Sequence, residues 1–100
     1  MRDNPVKRRL AAGETVFGTM IFELVSPGLP AILSASGAEF ALYDMEHSGI
    51  SMEEMKRQFS YARGLPLTPI VRPPAKQYQF VSRLLDLGAM GVMAPMVESP

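Results

Sequence analysis

The sequence has no cysteine, which excludes disulfide staples, thiolate nucleophiles and cysteine-built zinc sites and fits a reducing cytoplasm. Neither sign of charge is in excess, since ten basic residues balance ten acidic ones. A chain without a basic footprint is a poor match for nucleic acid or an acidic membrane surface, and a small partner is the expectation. No apolar run approaches the roughly 18 residues of a membrane span, and the opening MRDNPVKRRLAAG is too polar for the apolar part of a secretory leader. These absences describe a soluble, cytoplasmic protein that needs no membrane. Histidine occurs once, as His47, inside the stretch ALYDMEHSG, where two carboxylates and that imidazole fall within four consecutive positions, 44 to 47.

What is present is regularly punctuated. Asn4 before Pro5 predicts a helix N-terminus, Val6 and Leu10 lie one turn apart, and Gly13 can close the helix in the left-handed conformation. TVFGTMIF, residues 15 to 22, is rich in β-branched and aromatic residues and predicts a strand whose backbone is closely approached at Gly18. Ser26 and Pro27 repeat the cap-plus-proline device ahead of an apolar helical stripe at Leu29, Ile32 and Leu33 that Gly37 ends. Residues 39 to 44 predict a second strand, covered on both faces.

Ser51 and Glu54 make a capping box for a helix carrying Met55, Phe59 and Ala62 on one face and stopping at Gly64. Residues 67 to 72 predict a third strand, ended by Pro73 and Pro74, and 76 to 87 a helix with Phe80, Val81, Leu84 and Leu85 at helical spacing before Gly88. GVMAPM, 91 to 96, begins a fourth strand, and Ser99-Pro100 reads as the opening of another helix.

Strand and helix alternate at intervals that favour a parallel sheet. A doubly wound nucleotide binder should carry a G-x-G-x-x-G turn after its first strand, whereas FELVSPG follows here, so the α/β TIM (β/α)8 barrel is the expected fold. A whole barrel needs about 250 residues. Residues 1–100 are therefore expected to be the N-terminal half of such a domain, with four strands and their helices.

Reactive groups of a barrel stand at the C-terminal ends of its strands. Asp44, Glu46 and His47 end the second strand and Arg72 the third. Neighbouring strands are about 4.8 Å apart, so these ends can converge on one small ligand. Arg72 offers a donor fork for a carboxylate or enolate, the carboxylates offer hard oxygen for a divalent cation, and His47 can move a proton near neutral pH. The structural alternative is a hydrogen-bonded capping histidine and an arginine paired with a turn-shaping aspartate. Met90, Met93 and Met96 read as packing, and Lys7, Arg8 and Arg9 as a solvated helix face. Asp86, in the last turn of a helix, faces the negative end of the macrodipole and calls for a cationic partner, Arg83 being the local choice.

The residues NPVKRRLAAG at the start, DMEH at 44 to 47, PIVRPP at 69 to 74, LLDLGA at 84 to 89 and PMVE at 95 to 98 together resemble, in order and spacing, the HpcH/HpaI aldolase family. The resemblance covers nearly all of this chain and the first two-fifths or so of a typical member. It implies a metal-dependent class II aldolase, a lyase that reversibly splits a 2-keto-4-hydroxy acid into pyruvate and an aldehyde. The implied cofactor is Mg²⁺, Mn²⁺ or Co²⁺, acting as a Lewis acid on the enolate. By position, Arg72 matches the enolate-supporting arginine, His47 the general base and Asp86 the aspartate that pairs with that histidine. Asp44 and Glu46 match groups in the second shell around the metal. The family's direct ligands, a Glu and an Asp on later strands, have no counterpart within these 100 residues, so the fragment alone is expected to be inactive. Because Asp86 should lie at the opposite end of the barrel from its own strand tops, a pair with His47 implies a homo-oligomer. Met20 stands where some members place tryptophan. Two alternatives remain: a non-catalytic half-barrel that self-associates, and a different barrel carbon-carbon lyase.

Overall fold

The computed structural model describes residues 3–100. Four strands alternate with four helices: α1 (Pro5–Ala11), β1 (Gly18–Ile21), α2 (Leu29–Ala35), β2 (Phe40–Asp44), α3 (Met52–Ala62), β3 (Thr68–Arg72), α4 (Tyr78–Leu87) and β4 (Gly91–Val92). The strands form one parallel sheet in the order β1-β2-β3-β4. A doubly wound sheet reverses direction at a switch point, whereas each strand here adds to the same side of its predecessor, as around a (β/α)8 barrel.

The helix stops are where the glycines predict them. Gly13, Gly37, Gly64 and Gly88 all have positive φ, a conformation that side-chain residues resist, and each follows a helix. Asn4 caps α1 by accepting from Lys7 N at 3.0 Å, and its amide also donates to the Met90 carbonyl at 3.0 Å, tying α1 to the start of β4. Ser51 caps α3 by accepting from Glu54 N. Gly18 allows the predicted close approach, because a Cβ built there would sit 2.5 Å from the ring and the carbonyl oxygen of Phe40.

Several boundaries differ from the sequence reading. α2 starts at Leu29 with Gly28 as its cap and Pro30 in the first turn, not at Ser26 and Pro27. There the Ser26 carbonyl is already engaged by Leu29 N in a turn, so the helix begins one turn later. β1 and β4 are shorter than predicted, with four and two residues. Met93 and Met96 are exposed rather than packed; among the described residues the buried methionines are Met45 and Met55. Arg9 is not simply a solvated group, since it pairs with Glu14 and Glu39 and donates to the Thr15 carbonyl.

Side chains alternate across the sheet, so rows of the register face one way. Ile21, Tyr43 and Val71 form one row and join Met55, Phe59 and Leu84 in the core between sheet and helices. Tyr43 meets Phe59 edge-on, with ring centroids 6.3 Å apart. The next row, Asp44 beside Arg72, belongs to the opposite face, the one that holds Leu42 and Ile70.

Candidate active site

Asp44 is the last residue of β2 and Arg72 the last of β3, and the register places them side by side. Arg72 Nε donates to Asp44 Oδ1 at 2.9 Å, with Glu46 Oε1 3.5 Å from the same nitrogen. Asp44 has no exposed surface, yet its carboxylate is well satisfied: Oδ1 also accepts from Glu46 N at 2.9 Å and Oδ2 from His47 N at 3.3 Å. The hydrogen bond from Arg72 holds the Asp44 carboxyl below the usual carboxylate range, and the backbone donors act in the same sense against the opposing effect of burial. Arg72 is reciprocally held in its charged form by Asp44.

The local sequence explains this loop. An aspartate at a strand end accepts from the amides two and three residues on, which turns the chain and lifts Glu46 and His47 over the sheet edge. Ser48, which the sequence reading did not single out, locks the turn: its hydroxyl donates to the Asp44 carbonyl and accepts from Ile50 N at 3.2 Å. The signal for it is a hydroxyl four residues after Asp44, beside Gly49, in a turn. Met45 N donates to the Arg72 carbonyl at 2.9 Å and extends the ladder beyond the paired residues.

His47 stands out from this base with its side chain 67% exposed, and its Nε2 lies 3.2 Å from Glu46 Oε1. With a proton on Nε2 facing that carboxylate, Nδ1 keeps a lone pair for a proton acceptor's role. Arg72 is anchored through Nε alone; among the described residues, no hydrogen bond engages Nη1 or Nη2. The site is therefore a fixed guanidinium with its outer edge free, beside an exposed imidazole backed by a carboxylate. Of the sequence-predicted residues, Asp44, Glu46, His47 and Arg72 come together.

Asp86 does not join them within the chain. It is exposed on α4 and lines a shallow depression with Met52, Glu53, Lys56, Arg83 and Leu87. No ion pair joins it to His47 or Arg83 among the described residues.

Asp44, Glu46 and His47 are too committed elsewhere to serve as a metal centre. Asp44 spends both oxygens on Arg72 and the turn amides, Glu46 Oε1 faces Arg72 and His47, and no group of three or more metal-ligating side chains occurs among the described residues. These residues do not fit as a direct ligand set. No helix is long and apolar enough to cross a membrane, among the described residues.

Comparison with known proteins places this geometry in context. A family model described as HpcH/HpaI aldolase/citrate lyase matches residues 19–100. The chain is 36% identical over 98 residues to a hydroxypyruvate/pyruvate aldolase of Paraburkholderia phytofirmans, covering 96% of this chain and 37% of that protein. It is 29% identical over 96 residues to a 2-keto-3-deoxy-L-rhamnonate aldolase of Klebsiella pneumoniae, with 96% and 36% covered. The crystal structure of an HpcH/HpaI aldolase from Desulfitobacterium hafniense superposes with a TM-score of 0.88 at 34% identity, over 94% of this chain and 36% of that one. The chain thus spans little more than a third of the length of the relatives it matches.

Proposed function

The chain belongs to the HpcH/HpaI aldolase/citrate lyase family, and on that footing we propose that it forms the N-terminal part of a barrel lyase that cleaves a 2-keto-4-hydroxy acid reversibly into pyruvate and an aldehyde. The observation that carries the reading is Arg72, pinned through Nε by buried Asp44 at the C-terminal edge of the sheet, with no hydrogen bond on either Nη group among the described residues. A guanidinium held this way needs no reorganisation to receive a carboxylate or an enolate oxygen. The names of the aldolase relatives support the same substrate class.

In the cleavage direction, His47 takes the proton of the 4-hydroxyl. The C3–C4 bond then breaks, its electron pair enters the enolate of pyruvate, and the aldehyde leaves. Arg72 holds the negative charge that develops on the enolate oxygen, and the proton taken by His47 returns to C3 by way of water, which completes pyruvate and restores the base. Glu46 orients the imidazole and Asp44 orients Arg72, so both carboxylates support rather than react. Asp86 is assigned to meet His47 of a neighbouring subunit in a homo-oligomer, since its exposed place on α4 leaves it available between chains. A divalent metal, Mg²⁺, Mn²⁺ or Co²⁺, belongs to the reading, with direct ligands other than Asp44 and Glu46. Residues 1–100 alone are inactive in this reading, and a cytoplasmic location accords with the cysteine-free composition.

The test is pyruvate release from a 2-keto-4-hydroxy acid by the full gene product. Arg72→Ala is expected to lower kcat by about 10²- to 10³-fold, the usual consequence of losing one preorganised charge-stabilising donor. EDTA is expected to abolish turnover, and added divalent metal to restore it. Full activity in the alanine variant, or turnover indifferent to EDTA, would overturn the mechanism.

A further inference from the structure

Gln58, on the sheet-facing side of α3, is 2% exposed and lies in the chain between His47 and Arg72. Its Oε1 accepts from the Tyr43 hydroxyl at 2.8 Å, and its Nε2 donates to the Ser26 carbonyl at 2.8 Å. Burial pushes the Tyr43 phenol up to about 12, so it remains a donor at any physiological pH. With a permanent donor on one side, the amide oxygen faces Tyr43 and the amide nitrogen faces Ser26.

Ser26 lies in the loop between β1 and α2, residues 22–28, which leaves the sheet at the same edge as Asp44 and Arg72. Apart from the strand ladder and the first turn of α2, the Gln58 amide is the one hydrogen-bond tether on this loop among the described residues. Its remaining anchor is Val25, packed against the core. Phe22 follows Ile21, the register partner of Tyr43, and so begins the loop directly past the end of β1. Phe22 and Leu24 are 46% and 77% exposed. Glu23 is exposed between them, so the loop sets two apolar side chains and one anionic one at the edge that carries the polar cluster.

We infer that Gln58 is a positioning residue, which through the Ser26 carbonyl fixes the 22–28 loop as the wall that receives the aldehyde part of the substrate. This rests on the aldolase reading. Arg72 takes the charged keto-acid end, and the loop, with Phe22, Leu24 and the anionic Glu23 exposed, suits the end that carries no carboxylate. Gln58 touches neither end and acts only through the loop.

The experiment compares wild type with Gln58→Leu in the full gene product. Hydrogen exchange in 22–28 is expected to rise about tenfold with residues 40–44 unchanged, because only the local opening becomes easier. In the addition direction, the KM for aldehyde is expected to rise about tenfold while that for pyruvate stays within about twofold. If Gln58→Leu does not fold, Tyr43→Phe decides: it keeps the tether but frees the amide to turn, and a smaller rise confined to 22–28 is expected. Exchange that is unchanged in the loop, or raised equally in 40–44, overturns the inference, as does a parallel rise of both KM values. A wild type without turnover defeats the aldolase reading instead, and the exchange measurement still decides whether Gln58 holds the loop.

Discussion

Asp44 keeps its charge without any exposed surface because each of its oxygens has a donor, Arg72 Nε and Glu46 N on one and His47 N on the other. The physical consequence is a pH dependence whose sign follows from the depressed pKa. A carboxyl whose folded value lies below its unfolded value of about 3.9 contributes stability fully above that value and loses it as pH falls through the folded one. The stability gap between wild type and Asp44→Asn is therefore expected to be constant from about pH 5 to pH 8 and to close in acid, as urea midpoints across pH would record. A gap that persists at about pH 2 would show that Asp44 acts by shape rather than by charge. His47 and Arg72 were legible as strand-end residues. Their different standing was not: Arg72 is half-buried against a carboxylate and His47 stands in solvent, which depends on how Asp44 is consumed by the turn.

At the scale of the elements, the pairing of β1 with β2 depends on the absence of a side chain at Gly18. Phe40, its register partner, occupies the space that a Cβ would need, and backbone lies as near as the ring. Gly18→Ala is expected to cost about 1–3 kcal/mol, the range for overpacking a close contact, read as a lower urea midpoint. Gly49→Ala is the control, since nothing lies within 4 Å of the position a Cβ would take there. A Gly18→Ala variant as stable as wild type would mean that β1 can move off β2. The glycine inside an apolar strand pattern signalled a close approach, though not which neighbour makes it. The start of α2 was misplaced because two cap-like signals, Ser26-Pro27 and Gly28 ahead of Pro30, lie within one turn. The tertiary hydrogen bond from Gln58 accompanies the later start, with the Ser26 carbonyl shared between that amide and Leu29 N.

The whole molecule is a four-stranded sheet whose outer strands, β1 and β4, each pair on one side only among the described residues. Unpaired strand edges recruit other chains. The 100-residue chain by itself is expected to self-associate, with a sedimentation coefficient that rises with concentration, and a monomer at all concentrations would contradict this. A discrete dimer with cooperative melting would instead favour a non-catalytic half-barrel. By itself, the sequence determined the alternation of strands and helices, the caps at Asn4 and Ser51 and the four glycine stops, because each rests on dihedral preferences and hydrogen bonds within a few residues. Only the tertiary structure decided which distant groups meet: Asp44 with Arg72 across 28 positions, Gln58 with Ser26 across 32, Asn4 with Met90 across 86, and Asp86 with none of the cluster. Those meetings follow from strand register and helix packing, which a periodic pattern constrains in kind but not in partner.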